Sequence, residues 1–349
     1  MSYFNGKKIK LEIFGESHAT EIGVKCKGFP KFKVDLTALN DFLARRKASS
    51  SAFSTPRIEA DTPIFYGNVN RGKFKAIIKN QNVKSSDYND LYGIPRPSHA
   101  DYAWHLKDGA LDFSGGGRFS GRLTAPFCIA GGIAKQYLES LGIKVNAYIK
   151  SVGKIQGKSY KTANISSSEI EENTLLGKFP ALDNQENMLS EIKKAKEDGD
   201  SVGGVVECIV FNLKSGVGDN LFSGLEGKIS SLVYSIPAVK GVEFGKGFEI
   251  SKELGSVVND SLRIVGGKVV TTTNNSGGIN GGISNGENIT LSVAFRPTPS
   301  ISKEQQSVDL VNKKEVNISI KGRHDACVAV RAVPVVESAV ALAILDEIL

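Results

Sequence analysis

The sequence predicts an α+β fold of largely antiparallel strands, and three observations carry the prediction. Runs with strand character and runs with helical spacing are intermixed without a strict β-α-β rhythm, which argues against a doubly wound parallel sheet. The strand-like runs alternate apolar and polar residues, as half-buried strands of antiparallel sheets do. Glycine supplies 37 of 349 residues but clusters at 115–121 and 277–286 without a period, so it marks tight backbone sites. No Pro/Ser-rich linker or block of like charge divides the chain, and residues 1–349 read as one domain.

The helices follow from start signals, apolar spacing and stop signals. Asp35 is placed to cap a helix carrying Leu36, Leu39, Phe42 and Leu43 and ending near Arg45 and Arg46. A second runs from Thr124, past the tolerated first-turn Pro126, to Leu141, with Gly142 as stop. A third spans 184–198. The spacing of Leu221, Phe222, Leu225, Ile229, Leu232 and Val233 predicts a helix over 219–234 with these residues on one face. A last helix is expected over 338–349. Strands are expected at 8–14, 74–79, 143–152, 202–213, 289–295 and 316–320. The polar stretch 154–168 reads as a surface loop.

Composition narrows the function. Lys plus Arg number 44 against 37 Asp plus Glu, a net charge of +7 that suits an anionic ligand. A basic RNA-binding module would need aromatic platforms interleaved with Lys and Arg, yet aromatics are 8% and the arginines sit in histidine-bearing loops. Nucleic acid is therefore not an expected partner. Cys26, Cys128, Cys208 and Cys327 form no C-x-x-C pair, and no apolar stretch approaches the ~18 residues a membrane helix needs. A cytoplasmic protein without a structural metal or a membrane anchor is expected.

Three clusters could carry chemistry. Histidines stand in dense polar contexts at GESHA (15–19), RPSHAD (96–101) and KGRHDAC (321–327), where neighbouring groups can fix a tautomer for acid–base work; surface loops with hydrogen-bonded histidines are the alternative. SGGGRFSGRLT (114–124) sets glycines before Arg118 and Arg122 just ahead of a helix, which offers a phosphate amides and arginine forks; a simple glycine-rich turn is the alternative. NNSGGINGGISNGEN (274–288) is either a place of close ligand approach or a long hairpin loop.

In order along nearly the whole chain, FGESHA, RR with STPRIEAD, RPSHADYAW, SGGGRFSGRLTA, DSVGG, SIPAVKGVEFG, NNSGGINGGISNG, RPTPSI and GRHDACVAVRAVP resemble the chorismate synthase family. The resemblance implies a β-α-β sandwich, usually a homotetramer. It implies a carbon–oxygen lyase that removes phosphate from 5-enolpyruvylshikimate 3-phosphate (EPSP) by anti 1,4-elimination to give chorismate in the shikimate pathway. The implied cofactor is reduced FMN, unchanged in net oxidation state.

By the same resemblance His18 protonates the departing phosphate, His99 protonates or holds reduced flavin near N1, and Asp325 draws the substrate hydrogen away through N5. Arg118, Phe119, Ser120, Pro237, Ala238, Gly281, Arg296, Pro297, Thr298, Pro299, Ser300 and Arg323 fall where the family holds FMN. Arg46, Arg57 and Arg331 are the expected substrate clamps, on chemistry more than on motif.

Three residues depart from the family pattern beside this site: Ala19 replaces a glycine, Phe119 a serine and Leu123 a glutamate. They keep open a second reading, a degenerate member that binds FMN or EPSP as a sensor without turnover. Ala52 stands where members that reduce their own flavin often have arginine, so an external flavin reductase or other source of reduced flavin is expected.

Overall fold

The computed structural model describes residues 1–47, 60–80, 91–113, 116–320 and 325–349, and among them a layer of helices lies between two five-stranded sheets. The first sheet holds β1 (Ser2–Asn5), β2 (Lys10–Phe14), β3 (Glu21–Lys27), β4 (Ile64–Tyr66) and β5 (Phe74–Lys79) in the order β1-β2-β3-β5-β4. Its inner face pairs Ile22 with Ile78 and Val24 with Ala76, all buried. The second sheet uses β6 (Lys144–Val152), β7 (Ile155–Gln156), β8 (Gly204–Phe211), β9 (Val239–Phe244) and the later strand Ile289–Phe295, in the order β7-β6-β8-(289–295)-β9. Every named strand pair in both sheets is antiparallel, as the alternation predicts.

Between the sheets lie α1 (Leu36–Arg46) and α3 (Thr124–Ser140), and α2 (Asp101–Asp108) precedes the glycine-rich segment that leads into α3. Asp35 caps α1 by accepting from the backbone N–H groups of Thr37 and Ala38, as expected. Two further helices, α4 (Ser167–Asn173) and α5 (Gln185–Glu197), pack on the second sheet, and α6 (Leu225–Tyr234) packs on the C-terminal helix. After the four-residue turn α7 (Gly255–Val258), the chain ends in α8 (Ala329–Ile348).

That last helix begins at residue 329, where the sequence suggested 338, and passes through Pro334. A proline inside a helix removes one N–H, and the pattern signal stops there. Burial sustains the helix instead, because almost every residue from Ala329 to Asp346 is buried against α3, α6 and the second sheet. Each enclosed Val, Leu or Ile contributes about 1.5–3 kcal/mol. The contact with α3 requires glycine: a Cβ on Gly131 would lie 2.1 Å from the Ser338 Cβ.

Charged groups of α8 reach both sheets as well as neighbouring helices of its own layer. Fully buried Glu337 accepts a bidentate pair from Arg45 of α1 (2.8 and 2.9 Å) and the Ala147 N–H of β6 (3.0 Å), with Lys135 of α3 at 3.9 Å. Burial alone would raise its carboxyl, but Arg45 and Lys135 hold it below the usual glutamate range. Asp346 accepts from the backbone N–H groups of Lys7, Lys8 and Ile9, each at 2.7 Å, so the C-terminal helix pins the β1–β2 turn.

Three further expectations need correction. Strand β6 is not half-buried: Asn146 and Tyr148 of its outer face are buried as well as the alternating apolar set. The covering comes from the stretch expected to be a surface loop, which brings Ser159, Tyr160 and Ile165 onto the sheet around buried Glu207. The helix predicted over 219–234 starts at Leu225, after a short turn in which Leu221 (φ 46°) is left-handed. Leu221 and Phe222 are 84% and 99% exposed instead of buried. The reason is the extended backbone at Gly224, which lets the Leu225 N–H donate to Gly282 O (2.9 Å).

Glu337→Gln should destabilise the protein by about 3–5 kcal/mol at neutral pH, because it leaves Arg45 beside a neutral amide in the helix layer. The folded carboxyl lies below its unfolded value of ~4.3, so its contribution is present above that pH and is lost as pH falls through the folded value. Urea unfolding across the acid range should show a flatter acid limb in the variant; a loss under about 1 kcal/mol with an unchanged limb contradicts this assignment.

Burial pushes the thiol of Cys128 up to about 11 and that of Cys327 to about 12, with Cys26 and Cys208 also raised. An aromatic disulfide reagent at mildly alkaline pH should therefore label all four cysteines only after denaturation, and rapid labelling of the native chain contradicts their placement.

Candidate active site

The loops at one edge of the helix layer enclose a cavity of about 710 Å³. Among the described residues its walls come from nine places in the chain: Ser2 of β1, the β2–β3 turn with Ser17 and His18, the end of α1, Asp61, the turn before α2 with Arg96 and His99, the glycine-rich segment 116–124, residues 234–240 at the end of α6 and after it, residues 296 and 298–300, and the start of α8 with Asp325 and Arg331. The ends of sheet strands and helices thus converge where sequence motifs far apart in the chain could not be seen to meet.

Local interactions fix these segments. Ser17 N–H donates to Gly117 O (3.2 Å), coupling the first histidine turn to the glycine-rich segment. Arg96 donates through its backbone N–H, Nε and Nη2 to buried Asp101 (3.0, 2.7 and 2.8 Å), bracing the turn that carries His99. Arg296 Nη1 donates to Ser98 O (2.8 Å) from the opposite side, and His99 Nε2 lies 2.6 Å from Ser300 Oγ. Asp61 (φ 49°), Ser98 (φ 61°) and Ala238 (φ 75°) are left-handed without being glycine, and all three line the cavity. Such backbone is found where the surroundings over-determine it, often at functional sites.

The cavity carries an excess of positive charge. Arg46, Arg96, Arg118, Arg122, Arg296, Arg331 and Lys240 line it against the carboxylates of Asp61 and Asp325. Arg46 Nη1 donates to Asp61 Oδ2 (2.8 Å), and Arg122 Nη1 donates to Asp61 Oδ1. Burial would raise the Asp61 carboxyl, but the two guanidiniums hold it below the usual aspartate range. Burial lowers Arg46 to about 10, a change that Asp61 opposes, so it stays charged at neutral pH. Arg331 pairs with Asp325 (2.7 Å) and donates through Nε to the carbonyl of Arg46 (3.0 Å). The Arg122 Nη2 and Thr298 Oγ1 atoms are buried without a hydrogen-bond partner among the described residues. An anion able to accept from both would satisfy them.

Of the residues singled out from sequence, His18, His99, Asp325, Arg46, Arg331, Arg118, Phe119, Ser120, Pro237, Ala238, Arg296, Thr298, Pro299 and Ser300 line this one cavity. Gly281 and Pro297 are not among its lining residues; Gly281 is exposed in the β-hairpin 279–284. Arg57, Arg323 and Ala52 lie outside the described residues. Phe119, one of the three departures, packs edge-on against Trp104 (5.5 Å between centroids), while the Arg118 guanidinium stands 4.6 Å over the same indole. Leu123 packs against the hydrophobic core instead of facing the cavity.

The sequence reading did not assign Asp61, Arg96 or Lys240. The first two had a signal: each stands in a quoted motif with an opposite charge nearby, Asp61 in STPRIEAD and Arg96 in RPSHAD. Lys240 had none beyond its place in SIPAVKG.

Residues 9–349 match the family model described as chorismate synthase. The chain is 42% identical over 353 residues to the chorismate synthase of Thermococcus kodakarensis, covering 99% of this chain and 97% of that one. It is 43% identical over 348 residues to the chorismate synthase of Christiangramia forsetii, covering 98% and 96%. A solved structure titled as a crystal structure of chorismate synthase superposes with a TM-score of 0.74 at 24% identity, covering 98% of this chain and 92% of that one, a likeness of fold. With a match that runs from residue 9 to the C-terminal residue and relatives aligned over nearly their full lengths, the chain belongs to the chorismate synthase family.

Proposed function

We propose that the chain converts EPSP into chorismate and inorganic phosphate, with reduced FMN and EPSP held together in the arginine-rich cavity. The observation that carries this reading is the buried cationic wall with two polar atoms, Arg122 Nη2 and Thr298 Oγ1, that lack protein partners among the described residues. EPSP brings a phosphate and two carboxylates and FMN a further phosphate, which is the ligand chemistry such a wall accommodates. A cavity of about 710 Å³ lies within the range of small-molecule and cofactor sites.

Segments 118–120, 237–238 and 296–300 are the groups that would hold FMN, without Gly281 and Pro297, which do not line the cavity. Reduced flavin bound there would supply transient electron donation as the C–O bond to phosphate breaks. His18 is the acid that protonates the departing phosphate. His99, held at Nε2 by Ser300, keeps a proton on the flavin side of the cavity. Asp325 receives the proton lost from the substrate ring, and its ion pair with Arg331 orients the carboxylate. Arg122 and Arg331 clamp the anionic groups. The products carry the same number of electrons as the substrate, so the elimination needs no net reductant.

Self-association as a homotetramer is part of the proposal. The hairpin of β10 (Leu262–Val265) and β11 (Lys268–Thr271) leaves Leu262, Ile264, Val265 and Val269 between 61% and 77% exposed, and Phe222 adds a fully exposed ring. Apolar surface of this kind supports an interface between copies.

Under oxygen-free conditions with dithionite-reduced FMN, the protein should release chorismate and phosphate in equal amounts from EPSP. Oxidised FMN, or NADPH with FMN and no reductase, should give no turnover. His18→Ala and His99→Ala should each lower kcat by about 10- to 10⁴-fold, and Asp325→Asn should slow turnover with FMN still bound. Wild-type rates in all three variants overturn the assignment of roles, and FMN binding without turnover in the wild type favours the sensor reading.

Trp104 is the one tryptophan of the chain and touches two cavity residues, so its emission reports binding independently of activity. Titration with FMN should quench it saturably, and Arg118→Ala should weaken that response about tenfold, the loss of one charge-assisted contact. An FMN affinity unchanged by Arg118→Ala contradicts the placement of FMN beside Arg118.

A further inference from the structure

Arg46 was expected to clamp substrate, but the structure spreads its guanidinium over protein partners. Nε donates to Thr124 Oγ1 (2.9 Å), Nη1 to Asp61 Oδ2 (2.8 Å), and Nη2 to the carbonyls of Gly121 and Arg122 (3.3 and 3.5 Å). The group is 3% exposed. Its neighbour Arg122 differs in one respect. Nε donates to Asn80 Oδ1 (3.0 Å) and Nη1 to Asp61 Oδ1, but Nη2 is left open among the described residues. Asp61 therefore uses one oxygen to grip a guanidinium fixed by the protein and the other to aim a guanidinium that has a nitrogen to spare.

We propose that Asp61 is the positioning residue of the anion site, transmitting the fixed geometry of Arg46 to Arg122 so that Arg122 meets an anionic ligand already oriented. This rests on the reading of the cavity as the EPSP site. The left-handed backbone at residue 61 belongs to the same device, because it is a conformation that aspartate and asparagine tolerate better than most residues. A carboxylate placed between two guanidiniums also cancels one of two buried charges, so the pair can stand together in the wall before an anion arrives. A purely structural ion pair would be expected to satisfy all three nitrogens of both arginines. Both arginines line the cavity, and the shortfall falls on Arg122, the one held by side chains at only two nitrogens.

The proposal makes Asp61 act through Arg122, which a double-mutant cycle can read. Asp61→Asn keeps the shape and tolerates the backbone, but turns an amide N–H₂ toward one of the two guanidiniums. Binding of EPSP and, separately, of inorganic phosphate is measured by calorimetry on the full chain with oxidised FMN, so that no turnover intervenes. The expected result is that Asp61→Asn raises the EPSP Kd at least tenfold in the wild-type background and less than twofold in an Arg122→Met background.

A Kd within twofold of wild type, or the same fold-loss in both backgrounds, overturns the proposal. Should Asp61→Asn lack the near-ultraviolet circular dichroism of the folded protein, Asp61→Glu is judged by the same two criteria, since it keeps the charge and displaces the carboxylate. Failure of the function reading looks different. Wild-type protein that ignores EPSP but binds inorganic phosphate with the same pattern across the cycle upholds the Asp61 assignment and removes EPSP as the ligand.

Discussion

The burial of α8 on all sides is the constraint from which the rest of the structure follows. A helix of 20 residues set between two sheets can carry charged groups only where each has a partner, and this one carries four. Arg331 pairs with Asp325 and the end of α1, Glu337 with Arg45 and β6, Asp346 with the amides of the β1–β2 turn, and Glu347 with Lys228 of α6. The apolar surface supplies the driving force, and the charged residues decide which element lies where along the helix. Arg45 and Arg46 show how this reaches the cavity: successive residues in the last turn of α1, one is held by Glu337 in the helix layer and the other by Asp61 in the wall.

Within the cavity, electrostatic cost governs the arrangement. Six arginines and a lysine brought together without counter-charge would repel one another and resist desolvation. Asp61 is shared between Arg46 and Arg122, Asp325 pairs with Arg331, and Asp101 holds Arg96. The wall is in this way held by contacts within the protein, which lowers the reorganisation that binding requires. The left-handed residues Asp61, Ser98 and Ala238 are the local expense of aiming those groups.

Much of this was legible in the sequence, for identifiable reasons. Asp35 announced α1 because capping is local, and strands 74–79 and 289–295 were bounded correctly because their apolar runs end in clear breakers. The start of α8 was not legible, since Pro334 silences the local signal and only tertiary burial sustains the first turns. Nor was the second covering of β6, because a polar loop that folds back to satisfy Glu207 looks like any solvated loop. At the site, motifs located most of the lining, while Asp61 was missed because a carboxylate that orients arginines has the same sequence signature as one that merely neutralises them. Phe119 looked like damage to a phosphate loop, and the structure gives it a place on Trp104 beside Arg118.

The decisive measurement is a crystal structure of the protein with FMN and EPSP bound together. The arrangement described here requires both ligands in the cavity, with an anionic group of one of them within hydrogen-bond distance of Arg122 Nη2, EPSP phosphate beside His18, and the Arg46–Asp61–Arg122 chain unchanged. Ligand density elsewhere on the chain, or an Asp61 that has released both arginines to the ligands, would contradict it.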